Sequence, residues 1–75
     1  MRYYICDKQP NSYGYHEVHT SICPASPPKN RQKNVGQFAN CNLAIKSLYD
    51  LNKGKRFKFI GCRLCCRPCS HSIEH

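Results

Sequence analysis

The strongest constraint on this chain is a cluster of four cysteines near its C-terminus, spaced as two adjacent Cys-x-x-Cys pairs. Cys62-Arg-Leu-Cys65 is followed at once by Cys66-Arg-Pro-Cys69. Two thiolates separated by two residues can bind one metal ion from a single turn, and a structural Zn²⁺ site needs four ligands in a tetrahedron. The stretch therefore predicts a metal-stabilised fold, with two alternative registers for its ligands.

The chain is short enough to need such support. Its 75 residues form one domain, residues 1–75, and at this size hydrophobic burial leaves little margin. The aliphatic candidates for the core are few: Ile5, Val18, Ile22, Val35, Leu43, Ile45, Leu48, Leu51, Ile60, Leu64 and Ile73. We therefore expect a metal ion or disulfides to supplement the core.

Cysteine number and the N-terminus favour zinc over disulfides. Seven is an odd number of cysteines, and residues 1–8 have neither the apolar segment nor the cleavage site of a signal peptide. In the reducing cytosol thiols and metal ligation prevail over disulfides. We expect a cytoplasmic, monomeric zinc protein, and no membrane span, because no run approaches 18 apolar residues. The alternative is a basic, disulfide-rich secreted protein whose leader has been removed, a class that the adjacent Cys65 and Cys66 would suit.

Residue patterning predicts an α+β fold with a single helix. Strand and turn signals alternate along the chain, and only one segment has helical periodicity. The predicted order is a hairpin of strands 2–6 and 15–19, a Pro-rich loop over 23–34, a short strand over 35–38, a helix after Asn40, and a final strand over 57–60 that leads into the Cys knuckle.

The helix prediction rests on one apolar face and two end signals. Four residues share that face at i, i+3, i+4 and i+7: Cys41, Ala44, Ile45 and Leu48. Asn40 is a suitable N-cap, because its side chain can accept from a free amide of the first turn. Asn52-Lys53-Gly54 supplies the C-terminal stop.

His19 and Cys23 are a second pair of potential ligands, at the end of the predicted hairpin. With Cys62 and Cys65, at the end of the final strand, they make a Cys₃His set, a common composition of structural zinc sites. Each pair lies where a strand ends in a turn, so the four side chains can converge.

A competing register uses the second Cys-x-x-Cys pair. Cys66, Cys69 and His71 are its members, and Cys69 and His71 could also form a second site with Cys41. Cys41 and Cys6 have a simpler interpretation as small core residues.

No catalytic constellation accompanies these ligands. His16-Glu17-Val18-His19 differs from the metalloprotease motif, because its histidines are three residues apart and on a strand would face opposite sides. Only four acidic residues are present, which leaves little for acid–base hydrolysis. We predict that the protein is not an enzyme.

One longer pattern covers most of the chain: Gly14-x-His16-Glu17-Val18-His19-x-x-x-Cys23, Pro27, Asn30, Gly36-x-Phe38, Asn40-Cys41, Ala44 and Gly61-Cys62-x-x-Cys65. In this pattern the chain resembles a small, mostly bacterial family of stand-alone proteins without an assigned activity.

A subset of the same positions is more distantly similar to the zinc-binding domain of Ada-type DNA-repair methyltransferases. That subset is His19 and Cys23, Asn34-Val35 and Phe38, the helix with Ala44, and Cys62 and Cys65. The resemblance implies His19, Cys23, Cys62 and Cys65 as the zinc ligands. The Ada-type domain accepts a methyl group on a cysteine at the position of His19, so the imidazole here implies that this chemistry does not carry over.

The charge predicts an anionic partner. Lys and Arg outnumber Asp and Glu by 12 to 4, for a formal charge of +8, which favours DNA or RNA. The candidate contacts near the predicted site are Lys53, Lys55, Arg56, Lys58, Arg63 and Arg67, and a further basic group lies in the Pro-rich loop at Lys29, Arg31 and Lys33. The alternatives are a protein-interaction module with the same zinc site, or a thiol redox or alkyl-scavenging protein that uses Cys66 or Cys69.

Overall fold

A computed structural model describes residues 1–70, and the α+β prediction is confirmed in it. The chain forms β1 (Arg2–Asp7), β2 (Tyr15–Thr20), β3 (Gln32–Phe38), α1 (Cys41–Leu51) and β4 (Lys58–Gly61), with 3₁₀ turns at Lys29–Arg31 and Arg67–Cys69. The strands make one sheet in the order β3-β1-β2-β4. Within this part of the chain no helix is long and apolar enough to cross a membrane.

The N-terminal hairpin is closed by an asparagine-centred turn. β1 and β2 pair antiparallel with Ile5 opposite His19. The Asn11 side chain accepts hydrogen bonds from the amides of Tyr13 and Tyr15, at 2.9 and 3.0 Å. Gly14 has a φ of +87°, a conformation that glycine adopts without the strain of a side chain. The side chain of Asn11 and the conformation of Gly14 therefore close the hairpin.

The third strand is longer than predicted. The loop predicted over 23–34 contains a 3₁₀ turn, and β3 begins at Gln32 instead of residue 35. The reason is pairing, because β3 runs antiparallel along the whole of β1, from Asp7 opposite Gln32 to Arg2 opposite Phe38. Backbone hydrogen bonds to a neighbouring strand hold a polar segment extended, and its side chains give no sign of this.

The helix is confirmed at both ends. The Asn40 side chain accepts from the amide of Leu43 at 3.0 Å. At the other end the backbone and side-chain amides of Asn52 both donate to the Leu48 carbonyl. The predicted face is buried, and it packs on one side of the sheet against Tyr4, Cys6, Val18 and Phe59.

The predicted aliphatic core is only partly correct. Ile5, Val18, Ile45 and Leu48 are buried, while Leu43, Leu51, Ile22 and Leu64 are exposed, and Ile73 lies outside the described residues. Phe57 is 45% exposed. Six cysteines, Tyr4 and Phe59 fill the space instead. Small sulfur-containing side chains therefore form much of this core.

β4 joins the sheet parallel to β2. The register runs from Tyr15 opposite Lys58 to Val18 opposite Gly61, and the Cys62 amide continues it by donating to the Val18 carbonyl at 2.9 Å. Parallel neighbours need a crossover connection, which β3 and α1 provide. The two strands therefore end at the same edge of the sheet.

A disulfide joins Cys41, the first residue of α1, to Cys69 in the C-terminal turn, with their Cα atoms 6.4 Å apart. For this pair the prediction of thiols over disulfides was wrong, because the fold brings two distant residues within bonding range.

The C-terminal turn also packs directly on Gly61. A Cβ atom at Gly61 would lie 2.6 Å from the Cys69 Cβ and 2.9 Å from the Cys66 Cβ, so only glycine fits there.

An ion pair connects the end of β1 to the turn before β3. Arg31 donates to both Asp7 carboxylate oxygens, at 2.6 and 3.3 Å, and the Gln9 amide donates to one of them at 2.9 Å. Burial raises the pKa of Asp7, but these hydrogen bonds outweigh it and hold the pKa below its usual value. The charged carboxylate therefore stabilises this connection.

We expect Asp7→Asn to destabilise the fold at neutral pH and to have progressively less effect in acid. Because the folded pKa lies below the unfolded value of about 3.9, the contribution is complete above that value and is lost as the pH falls through the folded pKa. Urea unfolding of the parent and Asp7→Asn between about pH 7 and pH 2.5 measures this. Asp50→Asn removes an exposed carboxylate with no ion pair among residues 1–70 and serves as the control. A parent-to-variant difference that is constant over this range would contradict the prediction.

Candidate metal centre

His19, Cys23, Cys62 and Cys65 converge on one point. Their ligand atoms all lie within 4.8 Å of one another. The first two lie at the end of β2 and just beyond it, and the other two follow β4. Within residues 1–70 this is the one group of three or more His, Cys, Asp or Glu side chains that can hold a metal ion. The parallel pairing of β2 and β4 is what brings its two halves together.

The spacing of the sulfurs suits a tetrahedral ion. The Sγ atoms of Cys23 and Cys62 are 3.8 Å apart. For a tetrahedral ion with Zn–S bonds of about 2.3 Å, two ligand sulfurs are separated by about 3.8 Å. These two cysteines therefore already have the separation that such a site requires.

His19 provides independent support for a metal ion at this point. It is 2% exposed, and its Nδ1 atom has no hydrogen-bond partner among the described residues. Leaving a buried polar atom unpaired costs about 1–3 kcal/mol. Burial lowers the pKa of His19, which favours the neutral imidazole that metals bind. A metal ion bound at Nδ1 would satisfy this atom.

Glu17 is a residue of the site that the sequence did not point to. It lies two positions before His19 on β2, so both side chains are on the same face of the sheet. Its Oε1 is 3.7 Å from the other ring nitrogen of His19, Nε2, which is longer than a hydrogen bond. Metal-binding histidines usually direct their second nitrogen to a carboxylate or carbonyl. The signal in the sequence is the spacing, because residues two apart on a strand lie on the same face and Glu17 is therefore beside His19.

Backbone amides are directed at two of the sulfurs. The Thr20 amide donates to Cys65 Sγ at 3.2 Å, and the Leu64 amide donates to Cys62 Sγ at 3.4 Å. For Cys62, burial raises the pKa but the amides of Cys65 and Leu64 outweigh it, so the pKa lies below its usual value. The turn is therefore built to stabilise a thiolate at Cys62.

The other two thiols need a cation in order to ionise. Burial raises the pKa of Cys23 to about 12 and also raises the pKa of Cys65. Three adjacent thiolates repel one another, and a bound divalent cation removes that penalty while displacing the thiol protons. With four protein ligands no coordination position stays open for a substrate, which is the arrangement of structural sites.

The competing register is not assembled in the described residues. Cys69 is bonded to Cys41. Cys66 is 1% exposed within the core, with its Sγ 3.8 Å from that of Cys65. His71, its third member, lies outside the described residues. The pairing of β4 with β2 favours Cys62 and Cys65 over Cys66 and Cys69, because it places the first pair next to the end of β2.

Four of the six predicted nucleic-acid contacts form two groups at opposite ends of β4. Arg63 and Arg67 line one surface cleft with Leu64, beside the metal ligands. Lys55 and Lys58 lie at the other end of β4, 6.0 Å and 5.6 Å from the ring centroids of Phe57 and Tyr15. The four residues of β4 separate the two groups by about 10 Å. The remaining two, Lys53 and Arg56, are exposed between α1 and β4.

Comparison with protein-family models, with curated proteins and with solved structures gave no match to this chain. The resemblances derived from the sequence therefore stay predictions.

We expect Glu17→Gln to weaken the binding of Zn²⁺, used as the probe ion, by about 10- to 100-fold. The amide has the same shape as the carboxylate but lacks the charge that orients His19 and raises its basicity. Competition with a chromogenic chelator measures the affinity. Asp50→Asn, which removes the charge of an exposed helix carboxylate, should match the parent. An unchanged affinity in Glu17→Gln would exclude this role for Glu17.

Proposed function

We propose that this protein is a small, non-enzymatic zinc-binding domain whose basic surface binds nucleic acid. One Zn²⁺ ion, held by His19, Cys23, Cys62 and Cys65, has a structural role. The observation that carries the proposal is the convergence of these ligand atoms within 4.8 Å, together with a buried His19 nitrogen that has no hydrogen-bond partner among residues 1–70. Thiolate and imidazole donors are the preferred structural ligands of zinc.

The proposed ion supplies stability that the core lacks. It connects the end of the hairpin to the end of β4, two segments that are distant in sequence. Structural zinc sites contribute about 10–16 kcal/mol at pH 7. Small domains have total stabilities of only about 5–15 kcal/mol. Folding and zinc binding are therefore expected to be one event.

We expect one Zn²⁺ per chain in native mass spectra of the purified protein. Cys65→Ser should lose the ion and most of its folded structure, because three remaining ligands cannot offset the core's small size. Cys6→Ser changes a buried cysteine outside the site and should keep one Zn²⁺. The measurements are metal content and thermal unfolding. A Cys65→Ser variant with the parent's zinc content and melting temperature would contradict the assignment.

The nucleic-acid half of the proposal is supported by charge. The formal charge is +8, and three thiolates on one Zn²⁺ would change it by only one unit. Two of the four acidic side chains are occupied, since Asp7 pairs with Arg31 and Glu17 lies beside His19. Exposed cations lie at both ends of β4. An extended polyanion can contact both groups at once.

A protein-interaction module is the second candidate, and a specific observation favours it. Ile22 and Leu64 are 89% and 71% exposed, and they line one cleft of about 460 Å³ beside Cys23 and Cys65. Exposed aliphatic side chains that share a cleft are typical of contact surfaces. A thiol redox or alkyl-scavenging role has less support, because Cys66 is buried and Cys69 is in a disulfide.

We expect the zinc-loaded protein to bind random-sequence oligonucleotides with an affinity that falls steeply with salt. The logarithm of the binding constant should fall with log[salt] by about 0.7 per contacted phosphate of a single strand. Arg63→Gln/Arg67→Gln should lower both the affinity and this slope in fluorescence anisotropy. Arg2→Gln/Lys46→Gln removes the same charge at two exposed positions outside the predicted contacts and is the control. Absence of binding at low salt would leave the protein-interaction module as the function.

A further inference from the structure

A second site lies at the end of the sheet opposite the metal centre. It is a cleft of about 380 Å³, within the size range of ligand pockets. Its lining residues are Cys6, Asp7, Lys8, His16, Lys33, Asn52, Phe57 and Phe59. The cleft exists because α1 ends at Leu51 and its C-cap, Asn52, forms the edge of the cleft. None of the metal ligands contributes to it.

Three aromatic rings form the wall of this cleft. The ring centroids of His16 and Phe57 are 5.5 Å apart, those of His16 and Phe59 are 5.7 Å apart, and those of the two phenylalanines are 6.5 Å apart. Phe59 is buried and fixes the cluster, while Phe57 is 45% exposed. A half-exposed ring held by two others offers a rigid surface for another planar group.

The charge around this wall is positive. Lys8 and Lys33 line the cleft and are exposed, and the Lys55 ammonium lies 6.0 Å from the Phe57 ring centroid. Asp7 is the one carboxylate in the lining, and Arg31 already pairs with it at 2.6 Å. The cleft therefore combines an apolar aromatic wall with cations that form no ion pair among residues 1–70, which suits a planar ring that carries an anionic group.

Besides the two lysines, the lining offers two hydrogen-bond acceptors, on His16 and Asn52. His16 Nδ1 lies 2.8 Å from the Asp7 carbonyl, which can only accept, so the proton is on Nδ1 and the neutral ring has its lone pair on Nε2. The Asn52 side-chain amide donates to the Leu48 carbonyl, which leaves Oδ1 as an acceptor. Both groups suit a ring with exocyclic amino groups.

We propose that this cleft binds one unpaired base of a single-stranded nucleic acid, stacked on Phe57, with the adjoining phosphate held by Lys8 and Lys33. The assignment rests on the proposed nucleic-acid function and makes it specific for single strands. A base inside a duplex is stacked on both sides and cannot enter the cleft. Aromatic stacking with a cationic rim is the usual design of single-strand binding sites.

The test compares the zinc-loaded parent with variants on a single-stranded oligonucleotide that contains one 2-aminopurine, and on its duplex. We expect the parent to bind the single strand more tightly and to change the 2-aminopurine fluorescence, because the base leaves the stack of its neighbours. Phe57→Leu keeps an apolar side chain but removes the ring, and should weaken single-strand binding about 5- to 150-fold and abolish the fluorescence change. Lys8→Gln/Lys33→Gln should weaken it and lower the salt dependence. Tyr13→Leu, at an exposed aromatic outside the cleft, should match the parent.

The outcomes separate this inference from the proposed function. Equal single-strand affinity and an equal fluorescence change in Phe57→Leu and the parent would overturn the cleft assignment, while salt-dependent binding would still support the proposed function. Absence of binding by the parent to either oligonucleotide at low salt would overturn both. Circular dichroism and zinc content establish that each variant is folded.

Discussion

The parallel pairing of β2 with β4 is the interaction on which the rest of the structure depends. It requires a crossover, which β3 and α1 supply, and it makes both strands end at one edge of the sheet. His19 and Cys62 are then neighbours, and the short turns that follow each strand add Cys23 and Cys65. The C-terminal turn packs back on Gly61, where a side chain would collide with Cys66 and Cys69.

The domain is cross-linked at one end and open at the other. A metal ion held by His19, Cys23, Cys62 and Cys65 would join the ends of β2 and β4, and the Cys41–Cys69 disulfide joins the start of α1 to the C-terminal turn. These connections compensate for a core in which cysteines occupy positions that larger side chains usually fill. At the opposite end the helix stops short of the sheet edge, and an aromatic cleft remains. The cross-linked residues and the accessible cleft therefore lie at opposite ends of the strands.

The candidate metal centre and the protein surface differ in charge. The thiols of Cys23, Cys62 and Cys65 could ionise together only beside a cation, and a bound divalent cation would offset most of their negative charge. The surface keeps its excess of lysine and arginine, while Asp7 pairs with Arg31 and Glu17 lies beside His19. An extended anion is the partner that we propose for this surface, and exposed Ile22 and Leu64 are the apolar surface on which the second proposal rests.

Local chemistry along the sequence determined the elements of the fold. Asn40 and Asn52 cap the predicted helix, Asn11 and Gly14 close the hairpin, and Cys-x-x-Cys spacing pointed to ligands that need only a short turn. Tertiary structure decided what depends on distant partners. It extended β3 along β1, exposed Ile22 and Leu64 on the ligand loops, paired Cys41 with Cys69, and placed Glu17 beside His19. It also placed Cys62 and Cys65, and not Cys66 and Cys69, next to His19. Strand pairing fixes which cysteines meet, and no local pattern encodes the neighbour that a strand will choose.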